Sequence, residues 1–166
     1  MSKQSLAEMI RVVPAIAPIA GGSARSGDWV SLKNFERCTV VFFKGAGTAG
    51  DDPVITLRQA KDVAGTEAKE LNFTRLDVKK GTLTSVGVFT TVTQAAGNTY
   101  TDDTSAEAAG LFVIEVRTEM LDRDNGFDCV QLQIPDVGTN AQLGAALYIL
   151  GGARYAKTGG VSAIVD

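Results

Sequence analysis

The chain contains no histidine. That removes the general base of a serine-histidine-acid triad and the commonest nitrogen ligand for a metal ion. A serine nucleophile would have to work with a lysine, and no local Ser/Lys motif is present. Cysteine is scarce as well. Cys38 and Cys129 stand in separate strand-like contexts, with no second cysteine beside either to complete a metal site. Both read as buried free thiols, and they can pair only if the fold brings their Cα atoms within about 7 Å. Two such cysteines do not make the framework of a secreted, disulfide-stapled scaffold. Basic residues never cluster beyond the pair Lys79 and Lys80, and the net charge is −3, so a nucleic-acid partner is not expected. Long apolar runs are missing too: none reaches the ~18 residues of a membrane helix, and Glu8 and Arg11 would interrupt a secretory core. No cofactor, no membrane and no enzymatic reaction is expected from these absences.

What is present is a core. With 166 residues, 45% of them apolar and 21% charged, the chain can bury enough surface for one domain without a metal or disulfides. Leu6, Met9, Ile10 and Val13 fall at helical spacing, and Ser5 with Glu8 would cap one short helix. Pro14 and Pro18 then forbid regular helix, and a Gly/Ser cluster follows. Residues 1–27 therefore read as an arm, 28–155 as the folded body and 156–166 as a tail. Within the body the pattern predicts strands at Trp29–Leu32, Thr39–Lys44, Val54–Ala60, Lys69–Val78, Thr84–Val92, Leu111–Arg117, Asp128–Ile134 and Gly144–Leu150. The turn segments between them are Gly45–Pro53, Ala64–Thr66, Ala95–Asn98 and Pro135–Asn140, all too short for parallel crossovers. Only Asp102–Gly110 has room for a helical turn. The fold class is all-β: an antiparallel β-sandwich or barrel, jelly-roll-like, of about eight strands, with an N-terminal arm containing a short helix.

Two strands say more. In Leu71–Val78 the apolar positions Leu71 and Phe73 change phase to Leu76 and Val78 around Thr74 and Arg75, which predicts a bulge. Cys38–Phe43, CTVVFF, is apolar on both faces. In an antiparallel protein this places it at the sandwich centre or under a second copy covering its outer face.

Candidate chemistry fails on spacing. Asp122, Asp124 and Asp128 suggest a calcium loop, but Gly126 is the fifth position and Gln133 stands at the twelfth. A tight turn, with Asn125 and Gly126 at positive φ, accounts for the same residues. Gly45–Gly50 lacks the Gly-Lys-Ser/Thr ending of a phosphate loop and runs into Asp51, Asp52 and Pro53. Asp51, Asp52, Asp102, Asp103 and Glu115 would have to meet in space to act as a glycosidase pair. Trp29, Phe42, Phe43, Phe89, Phe112, Phe127 and Tyr148 read as core by default rather than as a sugar platform. Arg154 and Tyr155, just past the last strand, have the composition of a protein contact.

The ordered blocks DWVSLKNF, TVVFF, ITLRQAKDVAGTE, LFVIEV, LDRDNGFDCV and AALYILGGARY resemble small structural proteins of tailed bacteriophages, similar to head decoration, or cement, proteins. They span about Asp28 to Tyr155. The resemblance implies a structural virion protein that binds the exterior of a capsid and bridges neighbouring subunits of the major capsid protein. It also implies self-association as a dimer or trimer on the lattice. An apolar, proline-bearing arm suits that role, since an extended segment adds main-chain hydrogen bonds at a neighbour's sheet edge. The expected partner-binding residues are Val12, Val13, Pro14, Ile16, Pro18, Ile19, Arg154 and Tyr155. The alternatives are a head-completion or tail structural protein, and a carbohydrate-binding β-sandwich.

Overall fold

The computed structural model describes residues 6–50, 52–81, 83, 86–102, 108–135, 139–154 and 163. A single-turn helix, α1 (Leu6–Met9), leads into a long strand, β1 (Ile10–Gly21). The chain continues through β2 (Arg25–Ser26), β3 (Val30–Ser31), β4 (Arg37–Lys44), β5 (Val54–Ala60), β6 (Lys69–Glu70) and β7 (Phe73–Lys80). It ends with β8 (Thr90–Gly97), β9 (Thr99–Thr101), β10 (Gly110–Arg117), β11 (Cys129–Ile134) and β12 (Gln142–Gly151). All pairings are antiparallel, in two sheets: β1-β12-β4-β10-β7-β8, and β2-β11-β5-β6 with β3 also on β11 and β9 on β5. The two sheets form a sandwich.

The N-terminal segment departs from its expected form. Residues Ile10 to Gly21 pair with β12, from Ile10 opposite Gly151 to Gly21 opposite Gln142. The helix stops at Met9, with Leu6 and Met9 68% and 55% exposed. A helix this short has nothing to hold it without a packed face, so Ile10 and Val13 go to the ladder instead. Pro14 and Pro18, which forbid helix, are tolerated because β1 is an edge strand whose missing N–H groups need no partner. The ladder slips on either side of Ile16.

The phase change in β7 is present as read: Leu71, Phe73, Leu76 and Val78 are buried, and the β7–β8 register shifts between Phe73 and Arg75. The Gln94 side-chain amide fills the gap by donating to the carbonyls of Phe73 and Thr99. Expected strand Thr84–Val92 is displaced. β8 begins at Thr90, opposite Val78, and residues 86–89 leave the ladder although β7 continues to Lys80. The strand then runs through Ala95–Gly97, where a turn was expected. The expected helical turn after Asp102 falls largely on 103–107, outside the described residues.

Val40, Phe42, Phe112, Ile114, Val116, Ala146, Tyr148 and Leu150 of the first sheet meet Ile55, Leu57, Val130, Leu132 and Ile134 of the second, all nearly inaccessible. Cys38 and Cys129 are both buried and unbridged, and burial pushes the Cys38 thiol well up. Tyr148 joins the two layers. Its buried hydroxyl accepts the Leu132 N–H at 2.7 Å, where the strand beside β11 breaks between β2 and β3. Gly27 makes room for it, since a Cβ there would lie 2.6 Å from that oxygen. Burial is the main reason the phenol titrates above its ordinary range. Tyr148→Phe leaves the Leu132 amide without its acceptor in the core, a cost of about 1–3 kcal/mol. Urea unfolding checks this, and an unchanged midpoint would show that the hydroxyl is dispensable.

Candidate functional site

Side chains alternate across β4, β10 and β12, so one set fills the core and the other faces out. The outward set is unusually apolar. Thr39, Val41 and Phe43 of β4 lie beside Leu143, Ala145, Leu147 and Ile149 of β12 and Leu111 and Val113 of β10. Register places Leu147 and Val113 on either side of Val41, and Ala145 and Leu111 on either side of Phe43. Phe43, Leu143 and Leu147 are 49%, 54% and 41% exposed. β1 extends the face outward, with Val12 opposite Ile149 and Pro14 opposite Leu147. No charged side chain interrupts these rows until Glu115 and Arg117 at one end and Asp77 and Lys79 across β7.

The end of the face is polar. Arg37 and Arg117 stand directly opposite each other in the β4–β10 register, an arrangement of like charges that is unfavourable by itself. Glu115 offsets it, with Oε1 2.9 Å from Arg117 Nε, and this hydrogen bond is the main reason the guanidinium is held above its ordinary pKa. Glu36, Thr118, Glu119 and Arg154 complete a cleft of about 640 Å³ with these two arginines. Arg154 is fixed there by its main-chain N–H, which donates to the Asn34 carbonyl at 3.0 Å. Beyond it, two 3-10 turns, Thr118–Met120 and Arg123–Asn125, shape the acidic loop. Gly126 alone takes positive φ, at 84°, while Asn125 belongs to the second turn, so the expected pair of left-handed residues is one. The Asp122 carboxylate accepts from Lys69 and from the Asn125 amide, which hold it below the usual carboxylate range.

Of the expected contact residues, Val12, Pro14, Pro18 and Ile19 are exposed, and Arg154 lines the polar rim of the same face. Ile16 is different: Val13 packs against the core by alternation with exposed Val12 and Pro14, and the register slip between Pro14 and Ile16 then changes the phase, so that Ile16 points into the core at 6% exposure. Tyr155 lies outside the described residues. Leu143, Leu147 and Arg37 were not singled out from the sequence, although the two-sided apolarity of CTVVFF was a signal for this face. Phe43 and Phe89, read as core by default, are exposed instead.

Among the described residues, Asp102 and Glu115 do not come together as a catalytic pair. Asp102 is buried between the sheets against Lys44 and Lys80, whereas Glu115 faces outward. Asp51 and Asp103 are outside the described residues. Trp29 lies half-buried over Gly65, where a Cβ would come within 2.6 Å of its ring nitrogen. Among the described residues no three His, Cys, Asp or Glu side chains converge as a metal site, and no helix is long and apolar enough to cross a membrane.

The fold and site together describe an antiparallel β-sandwich with an apolar outer face bounded by arginines. No protein-family model and no curated protein matches the chain. Among solved structures it is similar to the crystal structure of the SPBc2 prophage-derived protein YomS, at 12% identity and a TM-score of 0.44, covering 86% of this chain and 94% of that one.

Proposed function

We propose that this chain is a structural component of a tailed-phage particle, a decoration protein that docks on the capsid exterior and bridges major capsid protein subunits. The observation that supports it best is the outer face of the β1-β12-β4-β10 layers: an uncharged apolar centre around Phe43 and Leu147 with a polar rim at Arg37, Arg117 and Arg154. An apolar centre ringed by polar groups is how protein interfaces are built, and exposed patches of this kind mark binding surfaces. The ordered sequence blocks that resemble phage head proteins supply the class of partner. In this reading the protein transforms no substrate. Many copies on a lattice raise the shell's resistance to internal pressure, each adding modest affinity.

Co-sedimentation with empty expanded heads tests the proposal. The chain is expected in the pellet, and Leu147→Glu, which places a charge on the face without touching the core, is expected in the supernatant at least tenfold more often. Recovery of the unaltered chain only in the supernatant would overturn it. Rings of purified chain seen by negative stain would favour a head-completion or tail protein instead.

A further inference from the structure

The two edges of the larger sheet are built differently. β1 carries Pro14 and Pro18 and two register slips, devices that keep an edge from recruiting a stray strand. β8, at the other edge, has one register slip, between Thr93 and Gly97, but no proline, and its Thr90–Thr93 half pairs regularly with β7. Between Lys80 and Asp102 the sequence has no charged residue and no proline. The strand itself reads Thr-Thr-Val-Thr-Gln-Ala-Ala-Gly, and no other strand among the described residues lies on its far side. Just before it, Val86, Val88 and Phe89 are 96%, 87% and 46% exposed, on a segment that the Lys79 ammonium ties down by donating to the Val86 carbonyl. An open, uncharged edge beside bare apolar side chains is a strand-pairing surface.

We propose that β8 pairs antiparallel with β8 of a second copy of this chain, making one continuous sheet across a two-fold axis. Three observations favour a second copy as the occupant. A symmetric antiparallel pair sets each edge against itself, and an edge without charge is the kind that meets its copy with no like-charge contact. Centring the pair on Val92 places Thr91 opposite Thr93 of the second copy, a favourable cross-strand match. Beyond that regular stretch, Val88 and Phe89 are brought toward the irregular end of the partner strand, where Ala95 and Ala96 are small and exposed, so each apolar loop gains cover there. The pairing uses neither the apolar outer face nor the arginine rim, so it is independent of shell binding.

Sedimentation equilibrium of the full chain tests this. The unaltered chain is expected at twice its 17.4 kDa mass. Thr93→Lys, a surface change that introduces the usual edge-blunting charge, is expected to weaken self-association at least tenfold with an unchanged β circular-dichroism spectrum. Phe89→Ser, off the strand, is expected to weaken it as well. A monomer at every concentration, a trimer, or a dimer that persists undiminished in both variants would overturn the proposal. Thr93→Lys should still pellet with capsids, so its failure to dimerise is read separately from the failure of shell docking.

Discussion

Asp102→Ala is expected to lower the unfolding free energy by about 3–5 kcal/mol, the range found when one partner of a buried ion pair is removed. Lys44 is fully buried at the end of β4, and its ammonium lies 3.8 Å from the Asp102 carboxylate, itself 1% exposed. Lys80, one-third exposed, closes on the same carboxylate. Geometry makes this arrangement possible: Lys44 sits between Gly144 and Gly110 in register, so its stem runs inward past positions with no side chains, while Asp102 arrives from the end of β9 in the opposite sheet. Removing the carboxylate takes this counter-charge from the fully buried Lys44 ammonium and leaves a second cation, Lys80, near it. Asp102→Asn should be nearly as costly, because it keeps the volume and loses the charge. Lys44→Leu together with Asp102→Leu should recover much of the loss. Chemical denaturation of the three variants decides it, and a change under about 1 kcal/mol for Asp102→Ala would mean that the triad does not hold this end of the sandwich.

Phe112→Ala is expected to cost about 3–5 kcal/mol by leaving a cavity between the sheets. The ring is 1% exposed and touches both layers, with its centroid 6.0 Å from Phe42 in the same sheet and 6.2 Å from Tyr100 across the gap. The ring and the Lys44 stem lie against one position, since a Cβ on Gly110 would come within 2.7 Å of the ring and 3.6 Å of Lys44 Cγ. Residues that share neighbours do not act independently. The double variant Phe112→Ala/Asp102→Ala should therefore lose less than the sum of the single losses. Thermal unfolding of the set measures the coupling, and strict additivity would separate the ring from the charges.

Much of the sandwich was legible because period-two patterning is local. β5 follows its apolar run from Val54 to Ala60, and the phase change at Thr74 and Arg75 announced the β7 irregularity. What was illegible depended on partners distant in sequence. Ile10 to Gly21 carries helical spacing and two prolines, and only the presence of β12 makes it a strand. Val86 to Phe89 has good strand composition, yet the β7–β8 ladder ends at Val78 opposite Thr90 and leaves it out. The docking face was half legible: CTVVFF signalled two apolar sides, but which side faces solvent depends on β10 and β12 flanking it in register. Ile16 was assigned to a partner for the same reason in reverse, since the register slip that turns it inward exists only once β1 pairs with β12.

The pairing of β1 with β12 also fixes how the molecule responds to tension. Ile10 lies opposite Gly151, so the chain segments entering β1 and leaving β12 emerge side by side at one corner of the sheet. A force pulling those segments apart loads the ladder one rung at a time, like a zipper, instead of shearing all its hydrogen bonds together. That ladder therefore yields most easily to force applied through those two segments, and an assembly that must withstand outward strain would do best to grip this protein through its broad surfaces.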